Sequence, residues 1–463
     1  MGAVTVALLM TLGGGARTEA QQHPDSAQAQ PQGPPPAQPH PQMPPQAGVP
    51  PSADVQHAAM EHADMMPTGA LGIPATRTGS GTSWLPDDTP MHALHRQTGA
   101  WTLMLHGNAF LQYLRDGGER GQDQLGSVNW AMGMAQRPLA GGVVELRAML
   151  SAEPLGVGEC GYPNLLASGE SCDGAPIVDR QHPHDLFMEL SASFQRALGE
   201  DLALQLYGGL AGEPALGPTA FPHRPSALPN VLAPVTHHWL DATHVAFGTV
   251  TAGLFGRRWK LEGSIFNGRE PDENRWDLDL ARLDSYAGRV FISPGEHLTL
   301  QISAGHLEEA EQKAPGEPRV DVRRVTASAI HHRSLGTLHW ATTLAWGRNS
   351  EPSEEEVTNA FLAESSLARE ADALFARLEV VQKTGEDLVI SDFSHRVFTL
   401  KKVGIGLLRD LGSFAGIEPG LGAGLSLSFI PQDLKPYYGT GTALGFAVFG
   451  RIHMGQAGMA GGM

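Results

Sequence analysis

From Trp101 onward the chain alternates apolar and polar residues with a period of two, a pattern that a helix of period 3.6 cannot carry. In "WTLMLHGNAFLQY", Trp101, Leu103, Leu105, Ala109, Leu111 and Tyr113 fall on one face. Thr102, His106, Asn108 and Gln112 fall on the other. The segments "WKLEGSIF", "HLTLQISAG" and "TLHWATTLAWG" repeat the pattern, so each predicts a strand with one apolar and one polar face. A secreted sandwich or propeller satisfies such alternation as well as a membrane barrel does, and the joins between strands separate them. Short joins ("RPLAGG", "LGED", "GRR", "SPGE", "RSLG", "AREAD") take turns with longer ones along the whole chain. The longest joins run from about 152 to 185 and from about 213 to 241. Short turns on one side and long loops on the other are the habit of an outer-membrane barrel, and the count comes to about sixteen strands. The expected fold is therefore all-β: a transmembrane antiparallel β-barrel over residues 101–454, with both of its ends on the periplasmic side. Two features depart from a standard porin. Aromatic residues make up only 6%, and "GQAGMAGGM", a flexible Gly/Met tail at 455–463, follows the last strand.

The segments outside the barrel read differently. "MGAVTVALLMTLGGGARTEAQQ" has an apolar run from Ala3 to Leu12 and a small-residue site at Thr18-Glu19-Ala20. It is too short to span a bilayer and lacks a basic start, and residues 1–20 are expected to be a signal peptide. Residues 21–80 are expected to form a disordered periplasmic leader rich in Pro, Gln, His and Met, because they offer too little apolar area to offset ordering entropy. Residues 81–100 form a pre-barrel segment. No later stretch is apolar for 18 residues. Cys160 and Cys172, the only cysteines, lie in a Gly/Ser-rich loop, and in an exported chain an isolated pair predicts one disulfide. A net charge of −17 argues against nucleic acid as a partner.

Within the leader, "HAAMEHADMM" gathers His57, Met60, His62, Met65 and Met66. Thioether with imidazole suits copper, the cuprous ion above all, while chance histidines in a low-complexity linker are the plain alternative.

Longer stretches carry a resemblance. "TSWLPDDTPMHALH", "QHPHDLFMELS", "YGGLAGEPALGPTAF", "HHWLDATH" and "WKLEGSIFNGREPDENRWD" resemble a largely uncharacterised family of Gram-negative outer-membrane barrels, over most of residues 81–453. The resemblance implies a place in the outer membrane, among lipid and lipopolysaccharide, and implies no activity. "MEHADMM" resembles the leader of copper-resistance protein B, a match confined to the leader. It implies a periplasmic metal-handling partner.

The alternation places two histidine clusters at the outer ends of descending strands. These are His182, His184 and Asp185 in "QHPHD", and His237, His238, Asp241 and His244 in "HHWLDATH". Glu270, Asp272 and Glu273 lie beside the second cluster in the same plan. If the long loops fold inward, these residues converge at a constriction. There they can ligate zinc, copper or nickel, activate water as a His–Asp pair, or hydrogen-bond inward-turned backbone. No phosphate loop, nucleophile motif or HExxH helix appears, and the chain does not read as an enzyme. Lys260, Glu262, Arg324, Arg377, Glu379, Lys401 and Arg451 occupy polar strand positions and are expected to line the lumen. The leading expectation is a channel or transport-related barrel linked to transition-metal handling, copper first. A closed metal-binding barrel without transport and a hydrolase at the barrel mouth are the alternatives.

Overall fold

The computed structural model of the chain describes residues 68–313, 316–352 and 356–455. Its strands are β1 (Leu94–Thr98), β2 (Trp101–Asp116), β3 (Asp123–Leu139), β4 (Gly142–Leu150), β5 (Tyr162–Cys172), β6 (Ala175–Gln181), β7 (Phe187–Ala197) and β8 (Ala203–Gly212). There follow β9 (Ala246–Phe255), β10 (Trp259–Phe266), β11 (Ser285–Ile292), β12 (Leu298–Glu311), β13 (Val320–Leu335) and β14 (Leu338–Glu351). The last are β15 (Glu356–Arg369), β16 (Asp372–Lys383), β17 (Phe398–Asp410), β18 (Ile417–Phe429) and β19 (Thr442–Met454). The main sheet has 17 strands, of which β1 is a short addition and the other sixteen form the barrel wall. Each wall strand pairs antiparallel with the next, and β19 pairs with β2 to close the ring. The expected sixteen-strand barrel is what the pairing shows.

The seam has its own arrangement. One edge of β2 is shared: β19 pairs with Asn108 through Asp116, and β1 takes over from Leu105 to Trp101. The sequence reading began its strands at Trp101 and missed β1, because "HRQT" carries no alternation. It forms as a hairpin through Gly99, whose φ of +59° suits a glycine. Both edges of β2 are thereby paired, which leaves no open strand at the joint.

Alternation sorts the two faces as expected. Leu111, Leu261, Ile302 and Leu344 each expose more than half of their area, while Gln112, Lys260, Glu262 and Ser303 are buried. An apolar belt of this extent is costly in water and is the lipid-facing surface of a membrane barrel. One lumen assignment is corrected. In β17 the buried lysine is Lys402, and Lys401 points outward with Val403, Ile405 and Leu407. The apolar run that follows fixes the phase of the strand. Lys401 lies near the loop end, where a long side chain can carry its charge toward the headgroups.

The wall is uneven in height. β2 and β3 have 16 and 17 residues, whereas β10 and β11 have 8 each. Above the low side rise the loops 151–186, 213–245 and 267–284, and two of them carry structure inward. The disulfide Cys160–Cys172 is formed, with a Cα–Cα distance of 5.3 Å, and ties the chain just before β5 to the last residue of β5 at the hairpin turn. Loop 213–245 crosses the lumen: Arg224 reaches Glu364 of β15 at 2.7 Å, Ser226 reaches Thr343 of β14 at 2.7 Å, and Thr236 reaches Glu379 of β16 at 3.0 Å.

A second segment enters from the short-turn side. Residues 68–80, assigned to the tether on composition, are ordered against the barrel, with Ala70 N donating to Gln195 Oε1 at 3.3 Å. Beyond them Trp84 packs on Phe255 and Phe291 at 6.1 and 6.2 Å, with the Arg77 guanidinium 4.9 Å from its ring. Lys260 Nζ donates to Thr82 O, and Arg289 donates to Thr82 Oγ1 at 3.1 Å. This segment meets loop 213–245 in mid-lumen, where Thr219 Oγ1 donates to Ser83 Oγ at 2.9 Å and Ala220 N to Ser80 Oγ at 2.9 Å. Sixteen strands normally enclose a water-filled channel. Here two inserted segments occupy it.

Candidate functional site at the barrel mouth

The inward loops bring the two predicted histidine clusters together. A one-turn helix, His237–Leu240, and a 3-10 turn, Ala242–His244, end loop 213–245. His182 to Asp185 form the extended approach to β7. The His182 ring lies 5.4 Å from His238 and 5.9 Å from His237, and the His184 ring lies 5.1 Å from His244. Phe221 sits between His184, His237 and His244 at 5.3–5.8 Å. Close packing of backbone permits this. A Cβ on Gly347 would strike Trp239 O, and one on Gly169 would strike the His238 ring. The predicted convergence is a fact of the fold.

The members differ in what they are free to do. Both oxygens of Asp241 are engaged: Oδ1 takes His237 Nδ1 at 2.9 Å, and Oδ2 takes Arg224 Nη1 at 2.6 Å and Phe221 N at 2.9 Å. Burial would raise its pKa, but the Arg224 guanidinium overrides burial and holds the carboxyl below the usual range. Asp241 is a structural anchor for Arg224 and His237. Burial pushes Asp185 up to about 7, only partly offset by Arg275, whose Nη1 is 3.7 Å away. His182 Nδ1 lies 3.2 Å from Glu170 Oε2.

His184 and His244 form a tighter unit. Their Nε2 atoms are 3.0 Å apart. His184 Nδ1 faces Glu153 Oε1 at 3.0 Å, and His244 Nδ1 faces Asp241 O at 2.8 Å. A carboxylate and a carbonyl can only accept, so each Nδ1 carries a proton and each Nε2 is aimed at the other. Either one proton is shared between the rings or a cation replaces it, with Glu153 and the Asp241 carbonyl as the outer partners that fix metal-ligating imidazoles. Of the two rings, His184 is the one whose surroundings favour the protonated form. Burial lowers its pKa, but the Glu153 carboxylate outweighs burial and the net shift is upward. Burial, and then the charge on His184, hold His244 well below the ordinary value.

His238 belongs to a third arrangement. Its Nδ1 lies 3.0 Å from Glu270 Oε1, and ligand atoms of His238, Glu270 and Glu311 all lie within 4.8 Å of one another. His238 Nε2 is buried with no hydrogen-bond partner among the described residues. Burial raises Glu270 to about 7 against the pull of Arg319. These groups border a cavity of about 60 Å³ that Glu170, Lys313 and Glu351 also line, with Lys313 Nζ 2.7 Å from Glu351. Imidazole with two carboxylates is a donor set for a borderline divalent cation. Of the acidic group read beside this cluster, Glu270 joins it. Asp272 stays exposed, and the half-buried Glu273 accepts from Gly174 N at 3.1 Å.

Sequence spacing does not point to Glu153, Arg224 or Glu311: Glu153 meets His184, Arg224 meets Asp241 and Glu311 stands beside His238 only because the loops fold inward. It also missed a chamber of about 440 Å³ at the short-turn end, bordered by His92, Met104, His106, Met132, His223 and His453. Across β2 and β3, Met104 stands opposite Met134 and His106 opposite Met132, with His106 Nε2 3.0 Å from Met132 Sδ. The signal was present as Met and His on the polar face of two adjacent strands. The leader residues His57, Met60, His62, Met65 and Met66 lie outside the described residues, as does the segment read as a signal peptide.

As for hydrolysis, the His237–Asp241 pair has the form of an oriented base. Among the described residues no serine, threonine or cysteine side chain is hydrogen-bonded to the His237 ring.

No family model matches the chain, and no curated protein matches it. Among solved structures it is similar to the anion-selective porin from Comamonas acidovorans, at 12% identity over 76% of this chain and 100% of that one, with a TM-score of 0.43. OmpF of Salmonella typhi in complex with daunomycin gives 11% identity, 78% and 100% coverage and a TM-score of 0.46. A loop-deletion mutant of OmpT, an outer-membrane protein of Vibrio cholerae, gives 9% identity, 76% and 99% coverage and 0.43. The closed sixteen-strand wall itself rests on the strand pairing within this chain.

Proposed function

We propose that the chain is an outer-membrane barrel of channel type that passes transition-metal cations through a plugged lumen, with copper as the first cargo. One observation carries this reading: ligand-bearing side chains follow one another from the outer mouth to the short-turn chamber. His238 with Glu270 and Glu311 stands at the mouth. The His237 ring is 5.4 Å from His238 and 5.2 Å from His244, which faces His184. Phe221 joins that group to His223 within a single 3-10 turn, and the His223 ring lies 5.6 Å from His106 beside Met132. A cation can be handed along such a series without an open water column. The Met104, Met132 and Met134 thioethers suit the cuprous ion, and the leader methionines would add donors of the same kind. In this reading the leader lies in the periplasm, where a metal-handling partner would meet it.

The test is cuprous entry into proteoliposomes loaded with a cuprous chelator. The full chain should accumulate copper, and Met132→Leu with His106→Ala should slow accumulation at least about tenfold, as expected when a soft donor pair is removed. Accumulation no faster than in protein-free vesicles would defeat transport. Binding without entry would favour the closed metal-binding barrel.

A further inference from the structure

We infer that His92, Glu418 and His453 form a binding site for a borderline divalent cation of the zinc class, and that the bound ion fastens the pre-barrel segment to the barrel seam. The site lies at the short-turn end, away from the mouth clusters, and does not depend on which cargo the lumen carries. One ligand atom from each residue lies within 4.8 Å of the other two. The His92 and His453 rings are 5.5 Å apart and inclined at 69°. His92 Nδ1 is buried and has no hydrogen-bond partner among the described residues. His453 Nε2 lies 3.0 Å from Glu418 Oε2, in a geometry that makes no hydrogen bond. Two half-buried imidazoles gathered with one carboxylate, their ring nitrogens short of hydrogen-bond partners, are a donor set for a cation.

The placement gives the ion something to do. Glu418 and His453 are register partners on β18 and β19, and His453 also faces Asn108 of β2, so both stand at the closing seam. His92 precedes β1 and belongs to the segment that runs from Thr68 through Trp84 into the lumen. A cation held by all three would tie the inserted segment to the last strand. Nearby positive charge is already balanced, since Arg451 donates to Asp410 Oδ1 at 2.7 Å. The chamber leaves room for water at a fourth position, as three-ligand zinc sites keep.

The test uses the full chain in detergent, stripped with a chelator and titrated with Zn²⁺ by calorimetry. Hydrogen exchange of residues 76–88 is followed with and without the metal. The wild-type chain should bind an equivalent that His92→Ala and His453→Ala each lose. Glu418→Gln should weaken that equivalent by more than the ~10–100-fold typical of an outer-shell change. The mouth variant His238→Ala with Glu270→Gln should keep it, which separates this site from the mouth reading. Zn²⁺ should slow exchange in 76–88 for the wild type and leave His92→Ala unchanged. His92 lies outside every strand, so that variant keeps its barrel even if His453→Ala fails to fold. Full Zn²⁺ stoichiometry in His92→Ala, or the same slowing of exchange there, would overturn the proposal.

Discussion

Arg224 shows most plainly how single residues hold this interior together. It is fully buried, and it donates to Asp241, Glu364 and Thr219 O at 2.6, 2.7 and 3.1 Å. Arg224→Ala would strand two buried carboxylates, and breaking a buried pair in this way costs about 3–5 kcal/mol. Urea unfolding of the variant should show that loss, with loop 213–245 exchanging first. His184 gives a pH prediction. Its pKa is raised above 6.5 because Glu153 outweighs burial, so its stabilising contribution is complete below the unfolded value and fades as pH rises through the folded one. Protection of residues 182–186 should therefore fall as pH climbs above about 6.5, and Glu153→Gln should flatten the profile. A flat wild-type profile would contradict the charged His184–Glu153 pair. The residue scale is also where the sequence said least. His184 and His244 could be picked out as mouth histidines. Glu153, which faces His184, and Arg224, which anchors Asp241, could not, because each contact depends on how the loops fold inward.

Elements were more legible. The period-two pattern and the long–short rhythm gave the sixteen wall strands, since alternation is imposed by lipid on one face and a polar lumen on the other. Where neither solvent imposed a pattern, the reading failed. "HRQT" carries no strand signal for β1, the composition of 68–80 reads as tether although those residues pack on the barrel, and the inward position expected for Lys401 belongs to Lys402. Loop order yields a topological expectation: a cysteine at Asp433, in the exposed join between β18 and β19, should label from outside intact cells. One at Gly295, in the short join between β11 and β12, should not. Labelling at Gly295 alone would invert the barrel. Within loop 151–186, the Cys160–Cys172 bridge ties the two ends of β5 together. Its thiols should resist alkylation until reduced, and reduction should cost about 3 kcal/mol in the chain-entropy model.

At the scale of the whole molecule, the barrel supplies a wall and two inserted segments occupy what it encloses. Lys260, Glu262, Arg289 and Glu213 form a buried network around the pre-barrel segment, with Arg289 2.8 Å from Glu262 and 3.0 Å from Glu213. Loop 213–245 closes over it from the other side. The two inserted segments thus fill the lumen between the mouth histidines and the methionine- and histidine-bordered chamber. Planar-bilayer conductance of the full chain tests that directly. The expected result is little steady current in potassium chloride, rising when Lys260→Ala and Arg289→Ala loosen the pre-barrel segment. A large, steady potassium chloride conductance in the wild-type chain would contradict a plugged lumen.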